Sequence, residues 1–121
     1  MYKIFKALLG LFVSVGLVIG VTGCAPEPID MSKVSAVIDV RTPAEFVAGH
    51  LQGAVNIDVE AADFNERVGT LAKGGKYLVY CHSGRRAGIA VEDMKSLGFT
   101  NVTSIGGIQD ASVETKLNVV K

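Results

Sequence analysis

An α/β domain, with a mainly parallel central sheet of four to five short strands flanked by helices on both faces, is the fold this sequence predicts. Three observations predict it. Short apolar runs alternate along the chain with segments whose apolar residues recur at helical spacing. The runs are continuously apolar, as in strands that are covered on both sides. Glycines, prolines and a capping pattern fall where one kind of segment gives way to the other.

The first run, Ala36-Val37-Ile38-Asp39-Val40, reads as a buried parallel strand. Thr42-Pro43-Ala44-Glu45 follows it as a helix start. Thr42 caps the exposed amides, Pro43 suits the first helical position, and Glu45 closes a capping box three residues after the cap. This helix ends near Gly49. Ala54-Val55-Asn56-Ile57 is a second short strand, and residues 64–71, with Phe64, Val68 and Leu71 at helical spacing, form a second helix. Gly74-Gly75 breaks the chain before a third strand, Tyr77-Leu78-Val79-Tyr80. Ala87, Ala90, Val91, Met94 and Leu97 define the apolar face of a third helix that stops at Gly98. Val102-Thr103-Ser104 is a fourth strand, running into Gly106-Gly107. After Gly107 there is little apolar periodicity, so a thin C-terminal cover is expected. Ligands of such sheets bind beyond the carboxyl ends of the strands, and Cys81 stands at one of those ends, directly before a helix.

The chain has 121 residues, enough for one core. Its 12 basic and 12 acidic side chains cancel, so no long-range field draws it to nucleic acid. The first thirty residues read as an address. Lys3 and Lys6 precede a nearly uncharged stretch, residues 7–21, that is shorter than the ~20 residues of a membrane span. Val21-Thr22-Gly23-Cys24 then resembles a bacterial lipobox, which implies lipidation of Cys24 as the mature N-terminus. The other reading is an uncleaved anchor helix with Cys24 as an incidental thiol. Residues 1–23 are thus expected to be a lipoprotein signal peptide, 24–33 a lipid-attached linker containing Pro26 and Pro28, and 34–121 the domain. Either reading places the domain outside the cytoplasm on a membrane tether, facing the periplasm or cell exterior. The sorting rules of such lipoproteins imply the outer membrane for Ala25 after the cysteine, if the cell has one.

Cys81-His82-Ser83-Gly84-Arg85-Arg86 is where the chemistry concentrates. A thiol with pKa ~8.5 is mostly protonated at neutral pH, so a nucleophilic cysteine needs its anion stabilised. Three sources converge on Cys81: the unpaired amides that open the next helix, the positive end of its dipole, and the guanidiniums of Arg85 and Arg86. Ser83-Gly84 lets the backbone curl so that successive N–H groups face one centre, a nest for an anion. A merely structural cysteine, buried as a small hydrophobe, has no use for a glycine and two arginines at these offsets. Zinc is not indicated, because one further cysteine and two distant histidines do not make a ligand set by spacing. A Cys24–Cys81 disulfide is disfavoured by lipidation of Cys24.

Three separated segments resemble the rhodanese family. They are Val37-Ile38-Asp39-Val40-Arg41-Thr42-Pro43-Ala44-Glu45-Phe46 with Gly49-His50-Leu51-Gln52-Gly53-Ala54-Val55-Asn56-Ile57, the loop from Cys81 to Arg86, and the pair Gly106-Gly107. The resemblance is nearest to small, exported, single-domain rhodaneses. It implies that the Cys81 thiolate takes the outer sulfur of thiosulfate, releases sulfite, holds a persulfide, and passes the sulfur to cyanide or a thiol. No metal or organic cofactor is implied, and a monomer is expected. In this reading Cys81 is the nucleophile and the amides of His82, Ser83, Gly84, Arg85 and Arg86 form the cradle. Arg85 and Arg86 offer charge to the leaving sulfite, Arg86 being the stronger candidate. Asp39 and Arg41 are read as an ion pair shaping the floor, His50 as a structural hydrogen-bonding residue, and His82 as a solvent- or substrate-facing residue that tunes specificity. Residues 108–112 lack the tryptophan that the family often carries there.

Other functions on the same fold remain as alternatives. Dual-specificity phosphatases and arsenate reductases of this fold carry a loop one residue longer, with an arginine where this chain has Ala87. A non-catalytic rhodanese domain commonly lacks the cysteine. A persulfide carrier serving one protein partner is not separated from a free-standing thiosulfate sulfurtransferase by anything in the sequence.

Overall fold

The computed structural model describes residues 28–121. Residues 1–27, which include Cys24 and the first part of the linker, and with them the signal-peptide and lipidation expectations, lie outside the described residues. After a short 3₁₀ turn, Met31–Lys33, the elements are β1 (Ala36–Asp39), α1 (Pro43–Ala48), β2 (His50–Leu51), β3 (Val55–Asn56), α2 (Phe64–Val68) and β4 (Lys76–Cys81). They continue with α3 (Arg85–Ser96), β5 (Asn101–Gly107), α4 (Ile108–Thr115) and β6 (Val119–Val120).

Four strands form one parallel sheet in the order β3-β1-β4-β5, as the continuous apolar runs require. Its two faces carry separate apolar clusters. On one, Ile38, Val40, Val79 and Cys81 pack with Phe64 and Val68 of α2 and Ala87, Ala90, Val91 and Met94 of α3. On the other, Val37, Leu78 and Tyr80 pack with Leu51, Ile105, Ile108 and Ala111. Each fully buried aliphatic or aromatic side chain contributes ~1.5–3 kcal/mol, so the two clusters are the main source of stability.

The expected capping box is present. The Thr42 hydroxyl accepts from the Glu45 N–H at 3.3 Å, and the Glu45 carboxylate accepts from the Thr42 N–H at 3.4 Å. The helix expected over residues 64–71 is shorter. It gives way to tight turns in which the Thr70 N–H bonds Arg67 O and the Leu71 N–H bonds Val68 O, which still deliver Leu71 to the core.

The largest departure is at the C-terminus, where a thin cover was expected and α4 and β6 stand instead. Helix α4 buries Ile108, Ala111 and Thr115, so two of its three buried residues are small or polar and give little apolar signal. The Thr115 hydroxyl is satisfied within the helix by Ala111 O at 2.6 Å. Lys116, with φ +60°, ends the helix in the left-handed region, and β6 then pairs antiparallel with β2, setting His50 opposite Val120.

Candidate active site

Cys81 is the last residue of β4 and is 1% exposed. It stands beside Gly107 across the β4–β5 pairing, after an irregularity in register between Val79 and Cys81. The chain leaves the sheet there and turns through His82, Ser83 and Gly84 into α3. Gly84 takes φ +101°, a left-handed conformation that glycine adopts without a Cβ penalty. This turn aims the Gly84 N–H at the Cys81 Sγ, 2.9 Å away. Gly84 is also the N-cap of α3 and has no side chain with which to cap it, and the first turn carries no acidic residue. The Gly84 N–H and the uncapped start of α3 thus lie at the Cys81 sulfur, where a negative charge is favoured by the donor and by the helix dipole.

The floor under the loop is built by glycine. A Cβ on Gly107 would run into the His82 carbonyl oxygen and lie 3.1 Å from its carbon and 3.3 Å from the Ser83 Cα. Gly106, beside it, has φ +82°. The glycine pair therefore lets β5 lie directly against the cysteine loop.

The two loop arginines are placed differently. Arg86 forms a two-pronged pair with Glu45 of α1, Nη1 to Oε1 at 2.7 Å and Nη2 to Oε2 at 2.9 Å. Arg86 beside it, helped by the Thr42 donors, holds the Glu45 carboxyl down at about 2, while Glu45 and, less strongly, Cys81 and Glu60 push the Arg86 guanidinium up. Arg85 is exposed, and its side chain makes no hydrogen bond or ion pair among the described residues. His82 and Ser83 are exposed at the tip.

Asp39 and Arg41 pair with each other, and neither side chain hydrogen-bonds to a described residue of the cysteine loop. Asp39, level with Tyr80 in the sheet, is fully buried, and its carboxylate binds the Arg41 Nε at 3.0 Å and Nη2 at 2.7 Å. Arg41 also donates from Nη2 to Gly49 O at 2.6 Å, and its guanidinium lies 5.8 Å from the Tyr80 ring centre. Charge on Asp39 and hydrogen bonding to it, together with the guanidinium of Arg41, fix the exit of β1. The Tyr80 hydroxyl accepts from the Leu51 N–H at 2.9 Å, and burial pushes its pKa up. His50 stacks on Phe46 at 3.7 Å and donates from Nδ1 to Phe46 O at 2.8 Å.

Sequence reasoning missed two side chains that shape the site. Glu45 reads only as a capping residue, because nothing local shows that its carboxylate also meets Arg86, 41 residues later. Asn56 donates from Nδ2 to Asp39 O and Arg41 O at 3.1 and 2.9 Å, pinning the segment that leads into α1, and a lone Asn after a valine gives no such signal. A groove of about 440 Å³ between β4, β5, α4 and residues 28–29 includes no residue of the cysteine loop.

Known proteins resemble this chain in the same region. A family model described as Rhodanese-like domain matches residues 25–112. The Escherichia coli protein named thiosulfate sulfurtransferase PspE is 37% identical over 78 residues, covering 63% of this chain and 73% of that protein. A Bacillus subtilis protein provisionally named sulfur carrier protein YrkF is 29% identical over 91 residues, and the match spans 74% of this chain but only 48% of that one. Among solved structures, one described as a rhodanese with anions from E. coli aligns with a TM-score of 0.61 and 32% identity, over 71% of this chain and 96% of that one.

Proposed function

The chain belongs to the rhodanese family, and from that premise we propose that it is a sulfurtransferase that moves sulfane sulfur from thiosulfate or a related donor to a thiophilic acceptor through Cys81. The observation that carries the reading is the Gly84 N–H directed at the Cys81 Sγ from an uncapped helix start. In the first step the Cys81 thiolate attacks the outer sulfur of thiosulfate. The S–S bond of the donor breaks and sulfite leaves with its electron pair, so the enzyme holds Cys–S–S⁻. In the second, cyanide or a thiolate attacks the outer sulfur, and the Cys81 thiolate leaves. The loop amides stabilise the negative charge, on Cys81 before the first step and on the outer sulfur after it. His82 and Ser83, exposed at the rim, meet whatever approaches.

Full-length protein incubated with thiosulfate is expected to gain the mass of one sulfur atom on Cys81 and to yield thiocyanate when cyanide is added. Thiocyanate formation by Cys81→Ser at the wild-type rate would sink the reading. A second reading, delivery of the persulfide to a protein thiol, is favoured by the exposure of His82 and Ser83 at the loop tip and by the relative named as a sulfur carrier. Faster discharge of the Cys81 persulfide by a protein thiol than by cyanide at equal concentration would select it. Phosphate-ester chemistry is opposed by Ala87, which is buried inside α3 where a longer loop needs its arginine. We also propose export of the domain on a lipid carried by Cys24; acyl labelling that persists in Cys24→Ala would overturn that.

A further inference from the structure

The parallel sheet ends on one side in β3, which is two residues long, and on the other in β5, which is seven. β5 pairs with β4 alone, so its outer row of N–H and C=O groups meets no strand among the described residues. Edges of this length are usually protected by a charge, a proline or a covering element, and β5 contains neither a charged residue nor a proline. Its regular part is residues 101–105, since Gly106 has φ +82°. Helix α4 runs back beside this strand and leaves two adjoining hollows, of about 350 and 440 Å³, that share Ser104, Ile105, Val113 and Glu114. Val113, common to both, is 79% exposed. Charge is divided along the edge. Asp110, whose Oδ2 lies 3.5 Å from where a Cβ of Gly106 would be, lines the hollow at the C-terminal end of β5. Lys116 and Lys76, which is level with Asn101, line the hollow at its N-terminal end.

We propose that two copies of this chain pair through β5, antiparallel about Thr103, so that two four-stranded sheets join into one and the two α4 helices meet over the joint. The two-fold axis then stands perpendicular to the sheet, which keeps both α4 helices on the same face and turns the exposed Val113 of each copy toward that of the other. Charge is what names a second copy as the occupant. An antiparallel copy brings its basic end, Lys76 and Lys116, to the acidic end at Asp110, whereas a copy running the same way would set acid beside acid. Pairing also gives the open backbone groups of β5 their partners and sets Thr103 opposite Thr103, a favourable cross-strand pair. Because β4 and β5 are parallel, the antiparallel joint sends the two Cys81 loops to opposite ends of the joined sheet. The inference goes beyond sulfur transfer and does not rest on it.

The test is disulfide cross-linking of the full-length chain in mild detergent. A Cys24→Ala/Cys81→Ser background removes both native cysteines. Thr103→Cys then places one thiol per copy at the axis, where directly opposed Cα atoms of antiparallel strands are about 4.5–5.5 Å apart, within disulfide reach. Asn101→Cys, equally exposed, lies two residues off the axis, so its copy is roughly 13 Å away and out of reach. Dioxygen with copper phenanthroline takes two electrons and two protons from each thiol pair, and the cross-linked dimer is read on a non-reducing gel. Thr103→Cys is expected to cross-link at least about tenfold faster than Asn101→Cys. Adding Val113→Glu, an exposed position that the fold does not need, opposes like charges at the axis and is expected to slow it by a similar factor. Adding Lys116→Glu is expected to slow it about three- to tenfold, and Asp110→Lys together with Lys116→Glu to recover most of the loss. Equal cross-linking at 101 and 103, as random collision within a micelle produces, overturns the proposal. So does a Thr103→Cys rate that Val113→Glu leaves unchanged. A chain that cross-links at neither position and runs as a single copy also overturns it, and leaves the edge to a strand of another protein.

Discussion

Replacing Gly107 with alanine adds one methyl group at the point where β5 touches the cysteine loop, and the structure sets how far the loop must retreat. The backbone at Gly107, with φ −81° and ψ 166°, is open to alanine, so the substitution carries no conformational penalty of its own. The cost is steric. The new carbon would lie 3.1 Å from the His82 carbonyl carbon and 3.3 Å from the Ser83 Cα, and closer still to the His82 oxygen. Carbon atoms prefer ~3.5–4.0 Å, so relief of the contact requires the loop to move by about 0.5–1 Å. Displacements of ~1 Å at a reacting centre cost about 100-fold in rate, so a loss of about 10- to 100-fold in persulfide formation is expected. Overpacking of this kind also destabilises by ~1–3 kcal/mol, which is ~4–8 °C of melting temperature per kcal/mol in a domain of this size. The assay pairs the rate of sulfur gain on Cys81 from thiosulfate with thermal unfolding. Gly88→Ala is the control: it sits one turn into α3 with nothing within 4 Å of the added methyl, and it should stabilise by ~0.5–1 kcal/mol with the rate unchanged. A Gly107→Ala protein that takes up sulfur at the wild-type rate would show that the glycine floor does not hold the loop.

Two further outcomes follow from the ion pairs. Because Arg86 holds the Glu45 carboxyl below its ordinary value of 4.5, at about 2, the pair contributes stability that is fully present above pH 4.5 and is lost as the pH falls toward 2. The melting-temperature difference between wild type and Glu45→Gln should therefore be constant above 4.5 and narrow below it; a difference that widens in acid contradicts the sign. Asp39→Asn leaves the buried Arg41 guanidinium without its counter-charge and should destabilise by ~3–5 kcal/mol in chemical denaturation, with a loss under 1 kcal/mol refuting the view that Asp39 neutralises it.

The strands and α3 were legible because each is a local pattern. Val37, Ile38 and Val40, or Ala87, Ala90, Val91 and Met94, announce their burial by spacing alone. The N-cap of α1 was legible for the same reason, since Thr42 and Glu45 are three residues apart. What the sequence concealed depends on distance or on small residues. Helix α4 buries alanine and threonine, which carry little apolar contrast, and β6 is two residues long and exists only because β2 lies beside it. Glu45 and Asn56 were hidden because one partner of each bond is supplied by a different part of the fold. The motif Cys81 to Arg86 marks the candidate centre but does not divide labour between its arginines. That division is set by where α1 lies, which no residue of the loop reports.

A cradle of inward-facing amides is unfavourable to maintain when empty, because N–H groups that converge on one point repel each other and lack their best partner. A parallel strand end and a glycine turn do not by themselves prevent such a loop from relaxing outward. In this chain two restraints act from different sides. Gly107 blocks movement toward β5, through a contact that any Cβ would abolish. The Glu45–Arg86 pair ties the first turn of α3 to the capped start of α1, and Arg41 with Asn56 fixes the segment that leads there. The loop, with the Gly84 N–H turned to the Cys81 Sγ, is therefore held in place from both sides, and donors held before an anion arrives are the kind that lower a barrier instead of spending binding energy on reorganisation. The same reasoning explains why Arg86 is more useful bound to Glu45 than free. A guanidinium released to follow the substrate would leave α3 tethered only by its packing, and the precision of the cradle would fall just as its charge rose.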